Sequence, residues 1–339
     1  MRKRININDV AKAAGVHRST VSRALTGSGP VSPANKEKVL IAAKALNYHP
    51  DTLAGALKSR RRNTWGLLSF WAQAAYATDW FYAKSLGGLL DSANKLNYRL
   101  LLQNTVGRFD QSEEAVRFCH DAQLAGLVVL APRTLEAGLA ELKRVDVPVV
   151  LLSHTPDDKS LSFVDLDNAA GARLAVEHFV AKGHRRIAFI GAEGELNSNA
   201  RDRLRGYREG LAQAGLAPDP QLEQVSAYFD PAFGAIALTA LRNLPPSRRP
   251  TAIFCSTDLM ARRALDEAAR AGLSLPQDLA VIGFDNNPDS NGNPGLTTVH
   301  YPFFEAGALA GELLSRLAAG EAGPLSHVIQ PKLVLRDSA

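Results

Sequence analysis

Ile7-Asn-Asp-Val-Ala-Lys-Ala-Ala-Gly-Val-His-Arg-Ser-Thr-Val-Ser-Arg-Ala-Leu25 reads as two short helices joined by a sharp turn. Asn6 can cap the first helix, whose apolar positions Ile7, Val10, Ala11 and Ala14 recur at helical spacing. Gly15 ends that helix with a residue able to take the left-handed conformation. The second helix begins near Arg18 and buries Val21, Ala24 and Leu25. Small Ala11, turn-forming Gly15 and β-branched Val21 have the spacing of a helix-turn-helix: Ala lets the helices approach, Gly makes the turn, and Val locks the second helix onto the first. A third helix, about Pro33–Leu46, is expected to bury Val39, Leu40, Ala43 and Leu46 along one face.

The charge balance isolates this segment. The chain of 339 residues is 46% hydrophobic and 22% charged, a globular composition with a net charge of only +5. Residues 1–62, however, hold thirteen basic and three acidic residues, a net of +10, and the rest of the chain carries −5. Such asymmetry points to a nucleic-acid or membrane-surface partner for the first segment, and basic charge on a helix-turn-helix favours DNA. Two cysteines, Cys119 and Cys255, cannot build a disulfide scaffold or a zinc site, and their apolar neighbours suit buried free thiols. The start has no apolar run behind its charges, and no stretch of about 18 apolar residues occurs, so the expectation is a soluble cytoplasmic protein.

Residues 50–62 form a different element. Pro50 can open a short helix over Asp51–Lys58, followed by the basic run Arg60–Arg62, which would neutralise phosphates. From Trp65 apolar strand-like runs alternate with amphipathic helices: strands near 66–70, 98–102, 126–130 and 148–152, then 186–190, 251–255 and 280–284. Intervening helices fall near 80–96, 110–123, 134–143, 200–215, 231–243 and 258–272. Two series of β-α units predict two parallel-sheet subdomains covered on both faces, with ligand between them at the carboxyl ends of the strands.

Ile7-Asn-Asp-Val-Ala-Lys-Ala-Ala-Gly-Val16, Ser19-Thr-Val-Ser-Arg-Ala-Leu25, Val31-Ser32 and Leu46-Asn-Tyr-His-Pro50 resemble the LacI/GalR family of transcription regulators. Val164-Asp-Leu-Asp-Asn168, Gly183-His-Arg-Arg-Ile187, Arg203-x-x-Gly-Tyr207, Asp258-Leu-Met-Ala261 and Val281-Ile-Gly-Phe-Asp285 extend the resemblance through the rest of the chain. The resemblance implies an all-α helix-turn-helix headpiece with a hinge helix, then an α/β core like that of periplasmic sugar-binding proteins. It places a DNA-binding domain at 1–50, the hinge helix and basic linker at 51–63, and an effector-binding and dimerisation core at 64–339. The first subdomain would comprise about 64–164 plus 297–327, and the second about 165–296 plus 328–339, with three crossings between them.

Carried over onto this sequence, the resemblance makes His17, Arg18, Ser19 and Arg23 readers of base edges in the major groove. Thr20 and Ser22 become phosphate contacts. Arg18 can bond guanine in bidentate fashion. His17 stands where the family usually has Ser or Thr, so either that helix is capped differently or His17 faces DNA. In the hinge, Leu57 beside Ala54 matches the residue that wedges into the minor groove, with Lys58 next to it. In the core, Arg203 and Asp285 match the pair that grips the effector. Phe81, Tyr82 and Phe229 match its aromatic contacts, and Ser153, Asn199, Thr257 and Tyr301 complete the expected set. Ser153, Thr257 and Tyr301 depart from the common Asp, Asn and Gln, and Asp79-Trp80 stands where Asn-Pro is usual. The extra aromatics Trp71 and Trp80 hint at a glycoside larger than one ring, and core packing explains each equally well.

An enzyme is the rival reading of an α/β chain. The sequence contains no Gly-x-Gly-x-x-Gly after a strand, no Gly-x-x-x-x-Gly-Lys-[Ser/Thr], no Gly-x-Ser-x-Gly and no His-Glu-x-x-His. His178, His184 and the adjacent Asp157 and Asp158 read as structural or solvated. The expectation is therefore a dimeric, non-enzymatic regulator without metal or cofactor. It would bind operator DNA and a small sugar or glycoside, most simply as a repressor of carbohydrate genes. A ligand-responsive activator or a sensor of a non-sugar metabolite is the alternative.

Overall fold

The structure, a computed structural model, describes residues 5–26, 29–46, 48, 62–69, 79–104, 113–132, 136–195 and 197–339. The chain divides into two compact units, Met1–Arg62 and Asn63–Ala339.

The first unit packs three helices: α1 (Ile7–Ala14), α2 (Arg18–Thr26) and α3 (Pro33–Ala45). Asn6 caps α1 in a capping box with Asp9, and Gly15 at φ +64° closes it, both as the sequence predicts. Val10, Ala11, Val21, Ala24, Val39, Ala42 and Ala43 form the small core. Leu40 is a correction: it is 49% exposed, and Ala42 takes its place. The buried face of α3 is 39, 42, 43 and 46, the i, i+3, i+4, i+7 stripe of a helix, and position 40 lies a hundred degrees off it.

In the second unit, one sheet contains β1 (Thr64–Ser69), β2 (Arg99–Asn104), β3 (Gly126–Leu130), β4 (Val149–Leu152), β5 (Ser162–Leu166) and β11 (Ser326–Ile329), ordered β11-β5-β4-β3-β1-β2 and wholly parallel. The other contains β6 (Ile187–Ala192), β7 (Glu223–Ser226), β8 (Ala252–Cys255), β9 (Ala280–Asp285), β10 (Thr297–His300) and β12 (Lys332–Val334), ordered β12-β10-β9-β8-β6-β7. Only its β10–β12 pair is antiparallel. Every residue of β3 and β6 is buried, because helices cover both faces of each sheet.

The connecting helices are α4 (Trp80–Lys95), α5 (Glu114–Asp121), α6 (Asn168–Ala181), α7 (Ser198–Gln213), α8 (Phe233–Arg242), α9 (Asp258–Arg270) and α10 (Phe303–Ala318). The helix expected near 134–143 is a 3₁₀ segment, Glu136–Arg144. Helices α4 and α10 lie against each other through glycines. A Cβ on Gly88 would strike the carbonyl oxygen of Phe304, and one on Gly307 the carbonyl oxygen of Ser85.

The chain crosses between the sheets three times: after β5, after β10 and between β11 and β12. The subdomain limits shift accordingly. Thr297–His300 pairs with Ile282–Asp285 in the second sheet, so the return to the first subdomain begins at Phe303 rather than at 297. The first departure follows Leu166 and the last follows Ile329. Both cysteines are buried free thiols. Among the described residues, no helix is long and apolar enough to cross a membrane.

Candidate functional site

A cavity of about 380 Å³ opens between the two sheets of the second unit, at the carboxyl ends of their strands. The first subdomain contributes Asp79, Trp80 and Phe81 from the start of α4, Ala131 after β3, and Phe303 at the start of α10. The second contributes Asn197, Asn199 and Arg203 from the start of α7, Phe229 and Pro231 after β7, Thr257 and Leu259 at the start of α9, and Asp285, Asn287 and Pro288 after β9. Four helices thus begin at the wall, three of them behind a side-chain cap and α10 behind Pro302 without one. Asp79 accepts from the Tyr82 amide, Asn197 from the amides of Asn199 and Ala200, and Thr257 from that of Met260.

Arg203 and Asp285 are the charged centre. Arg203, 3% exposed, donates from Nε to Asn168 Oδ1 at 2.9 Å and from Nη1 to the Ser256 carbonyl at 2.5 Å. Nη1 also lies 3.6 Å from Asp285 Oδ1, and the guanidinium sits 3.8 Å above the Phe284 ring. Burial pushes the Arg203 pKa down and that of Asp285 well up, each opposed by the attraction of the other. Desolvation outweighs the attraction on both partners, so neither charge is fully compensated by the protein. Asp285 (φ +114°) and Asn286 (φ +55°) adopt backbone conformations that L-residues rarely take, and such strain clusters at ligand clamps.

Behind the wall, Asp258 fixes the loop that follows β9. Its buried carboxylate accepts from the Asn287 amide at 2.7 Å, Ser290 Oγ at 2.5 Å and Thr298 Oγ1 at 2.6 Å. Burial raises its pKa to about 6 despite these donors. A second buried set spans the crossings. Tyr301 donates from its hydroxyl to Asp165 Oδ1 and bonds Ser153 Oγ, both at 2.9 Å, and Asn199 donates to the Ser153 carbonyl.

Of the expected effector contacts, Phe81, Asn199, Arg203, Phe229, Thr257 and Asp285 line the cavity. Tyr82, Ser153 and Tyr301 do not. Tyr82 is buried beneath α4, and Ser153 and Tyr301 bond each other, so all three stand one layer back. Trp80, one of the two extra tryptophans, lines the cavity, as do Asp79, Asn197, Asn287 and Phe303, which are not among the expected contacts. For Asp79 and Asn197 the signal is the cap: an Asn or Asp between a strand and the helix after it lies, in a parallel fold, at the ligand edge of the sheet.

In the first unit, His17 Nδ1 lies 2.8 Å from Ser19 Oγ and accepts from the Ser19 amide at 3.3 Å. The imidazole therefore caps α2, the role a Ser or Thr would otherwise fill. His17, Arg18, Ser19 and Arg23 are exposed, and Thr20 and Ser22 half-buried, along the side of α2 away from Val21 and Ala24. Ala54, Leu57 and Lys58 lie outside the described residues.

Of the histidines and acids set aside as structural or solvated, His184, Asp157 and Asp158 have side-chain partners. His184 Nδ1 lies 2.9 Å from Thr251 Oγ1, and its ring meets Phe179 edge-on. Asp158 is solvent-accessible, as expected, and is also paired with Lys143 at 2.5 Å, which pulls its pKa to about 2. Among the described residues, no group of three or more His, Cys, Asp or Glu side chains could hold a metal ion.

Residues 6–51 match the bacterial regulatory proteins of the lacI family, and residues 176–339 match the periplasmic binding protein-like domain. The chain is 30% identical to the HTH-type transcriptional repressor PurR of Aliivibrio fischeri (strain MJ11), covering 98% of this chain and 97% of that protein. Its structure is similar to the lac repressor dimer bound to operator and the anti-inducer ONPF, with a TM-score of 0.88 at 26% identity over 99% of each chain. It is also similar to the transcriptional regulator CelR in complex with cellobiose, with a TM-score of 0.74 at 29% identity over 99% of this chain and 100% of that one.

Proposed function

This chain belongs to the lacI family of bacterial regulatory proteins, and on that premise we propose that it is a repressor of carbohydrate-utilisation genes whose grip on operator DNA is set by a sugar-like effector in the cleft. It is a DNA-binding transcriptional regulator controlled by a small molecule. The observation that carries the sugar reading is the buried Arg203–Asp285 pair among aromatic rings. A guanidinium and a carboxylate side by side offer donors and acceptors to hydroxyl groups, which are both. Phe81, Phe229 and Phe303 offer flat apolar surface to the faces of a sugar ring. The cellobiose-bound relative supports the same ligand chemistry.

On this reading the headpiece is residues 1–50, the hinge 51–63 and the core 64–339. Two chains form a dimer that reads the half-sites of a palindrome. Arg18, with His17, Ser19 and Arg23, reads bases. Thr20 and Ser22 hold phosphates, and Leu57, flanked by Ala54 and Lys58, wedges into the minor groove. Effector draws the two subdomains together, the three crossings carry the change, and the hinge helices of the dimer lose their hold on DNA. Footprinting on DNA upstream of the protein's own gene, with and without sugars, tests this. A symmetric protected site that clears on addition of one sugar is expected, and a footprint indifferent to every sugar would refute it.

A further inference from the structure

We infer that the effector is an uncharged two-ring glycoside, held by the Arg203–Asp285 pair at one ring and by Trp80 at the other. This inference rests on the sugar reading above and narrows it. Three observations carry it.

The first is size. A pyranose of about a dozen heavy atoms fills roughly 170–190 Å³ at the packing density of a protein interior. A cavity of about 380 Å³ has room for two such rings.

The second is charge. The described wall carries two carboxylates, Asp79 and Asp285, against one guanidinium. Arg203 is already engaged by Asn168, the Ser256 carbonyl and Asp285. The starts of α4, α7 and α9 could draw an anion through their amides, but Asp79, Asn197 and Thr257 accept from those amides themselves, and α10, which starts at the wall without a side-chain cap, carries Glu305 in its first turn. Burial pushes both carboxyls towards their neutral forms, and the same desolvation would penalise the two negative charges of a phosphorylated sugar at this wall.

The third is Trp80. It lines the cavity on the first subdomain, across from Arg203 and Asp285 on the second. Lys84 Nζ sits 4.3 Å from its ring centre, so one face of the indole is occupied by the protein's own ammonium. Trp80 also packs against the core, and the part of it that lines the cavity offers apolar surface to a pyranose face.

Isothermal titration of the full chain with cellobiose, lactose, maltose and 4-nitrophenyl β-glucoside, against glucose, galactose and cellobiose 6-phosphate, tests the inference. One of the two-ring compounds should bind at least tenfold more tightly than its parent monosaccharide. For cellobiose, the 6-phosphate should bind at least tenfold more weakly than the neutral disaccharide. Trp80→Ala should lower the two-ring affinity to the monosaccharide level while leaving the monosaccharide unchanged, and Trp80→Phe should retain most of it. Equal affinity for one ring and two, or Trp80 variants that weaken both alike, would overturn the inference and leave the sugar reading standing. Failure of every sugar to bind would overturn both.

Discussion

Replacing Arg203 with Met removes the guanidinium while keeping an unbranched stem that can still pack on Phe284, 3.8 Å below it. Three partners lose their donor: Asn168 Oδ1, the Ser256 carbonyl and Asp285. Breaking a buried ion pair by removing one partner costs about 3–5 kcal/mol. Here part of that is recovered. Burial already pushes the Asp285 pKa well up against the pull of Arg203, so without the guanidinium the carboxyl takes a proton and is no longer charged. The expected loss is therefore about 2–4 kcal/mol, or roughly 4–16 °C in Tm for a core of this size. Removing both charges, in Arg203→Met with Asp285→Asn, should recover part of it, with a coupling of about 1–3 kcal/mol. Urea unfolding followed by tryptophan fluorescence reads the core alone, because Trp65, Trp71 and Trp80 all follow Arg62. In gel shifts the single variant should bind operator as the parent does but no longer release it with effector. A variant as stable as the parent, with additive single and double changes and a normal effector response, would refute the assignment of this pair as the centre of the site.

Loss of the imidazole cap in His17→Ala should cost the headpiece about 0.5–2 kcal/mol, whereas His17→Ser should hold its stability, both measured by thermal circular dichroism. Arg18→Ala should relax base preference at one position per half-site, worth about 1–3 kcal/mol, in binding-site selection from random DNA; an unchanged selected motif would remove Arg18 as a reader. Asp258 sets a pH dependence. A carboxyl whose folded pKa is raised, here from 3.8 to about 6, contributes stability that is complete below the unfolded value and lost as pH rises through the folded one. Core stability should therefore rise by about 1.4 kcal/mol from this group as pH is lowered from about 7.5 to about 5, about half of the roughly 3 kcal/mol that is complete only below the unfolded value, and Asp258→Asn should flatten the rise. Stability that falls over this interval alike in parent and variant would contradict it.

What the sequence made legible was what local physics controls. Asn6, Gly15 and the α1–α2 spacing specify their turn without help from distant residues, and the buried apolar runs of β3 and β6 are unmistakable. Glu223-Gln-Val-Ser226 and Ser326-His-Val-Ile329 escaped the strand pattern because they lie at or next to sheet edges, where one face need not be apolar. Leu40 misled because apolar character alone does not fix which side of α3 faces the core. Arg203 and Asp285 were reached through resemblance, since nothing in their spacing, 82 positions apart, announces a pair. Ser153 and Tyr301 were expected at the wall, but they bond each other and Tyr301 also donates to Asp165, a pairing across the crossings that only tertiary structure reveals. Trp80 and Asp79 entered the cavity for the converse reason. A cap and the residue after it point wherever the sheet edge lies, and that depends on strand order.

The direct measurement is fluorescence anisotropy of the full chain on its selected operator, titrated with the glycoside that binds the core. Ligand control of DNA binding requires a coupling of about 1–3 kcal/mol, so operator Kd should rise roughly 5–150-fold at saturating glycoside, and Arg203→Met should abolish the rise. An operator affinity that stays constant while the cleft is saturated would contradict the account.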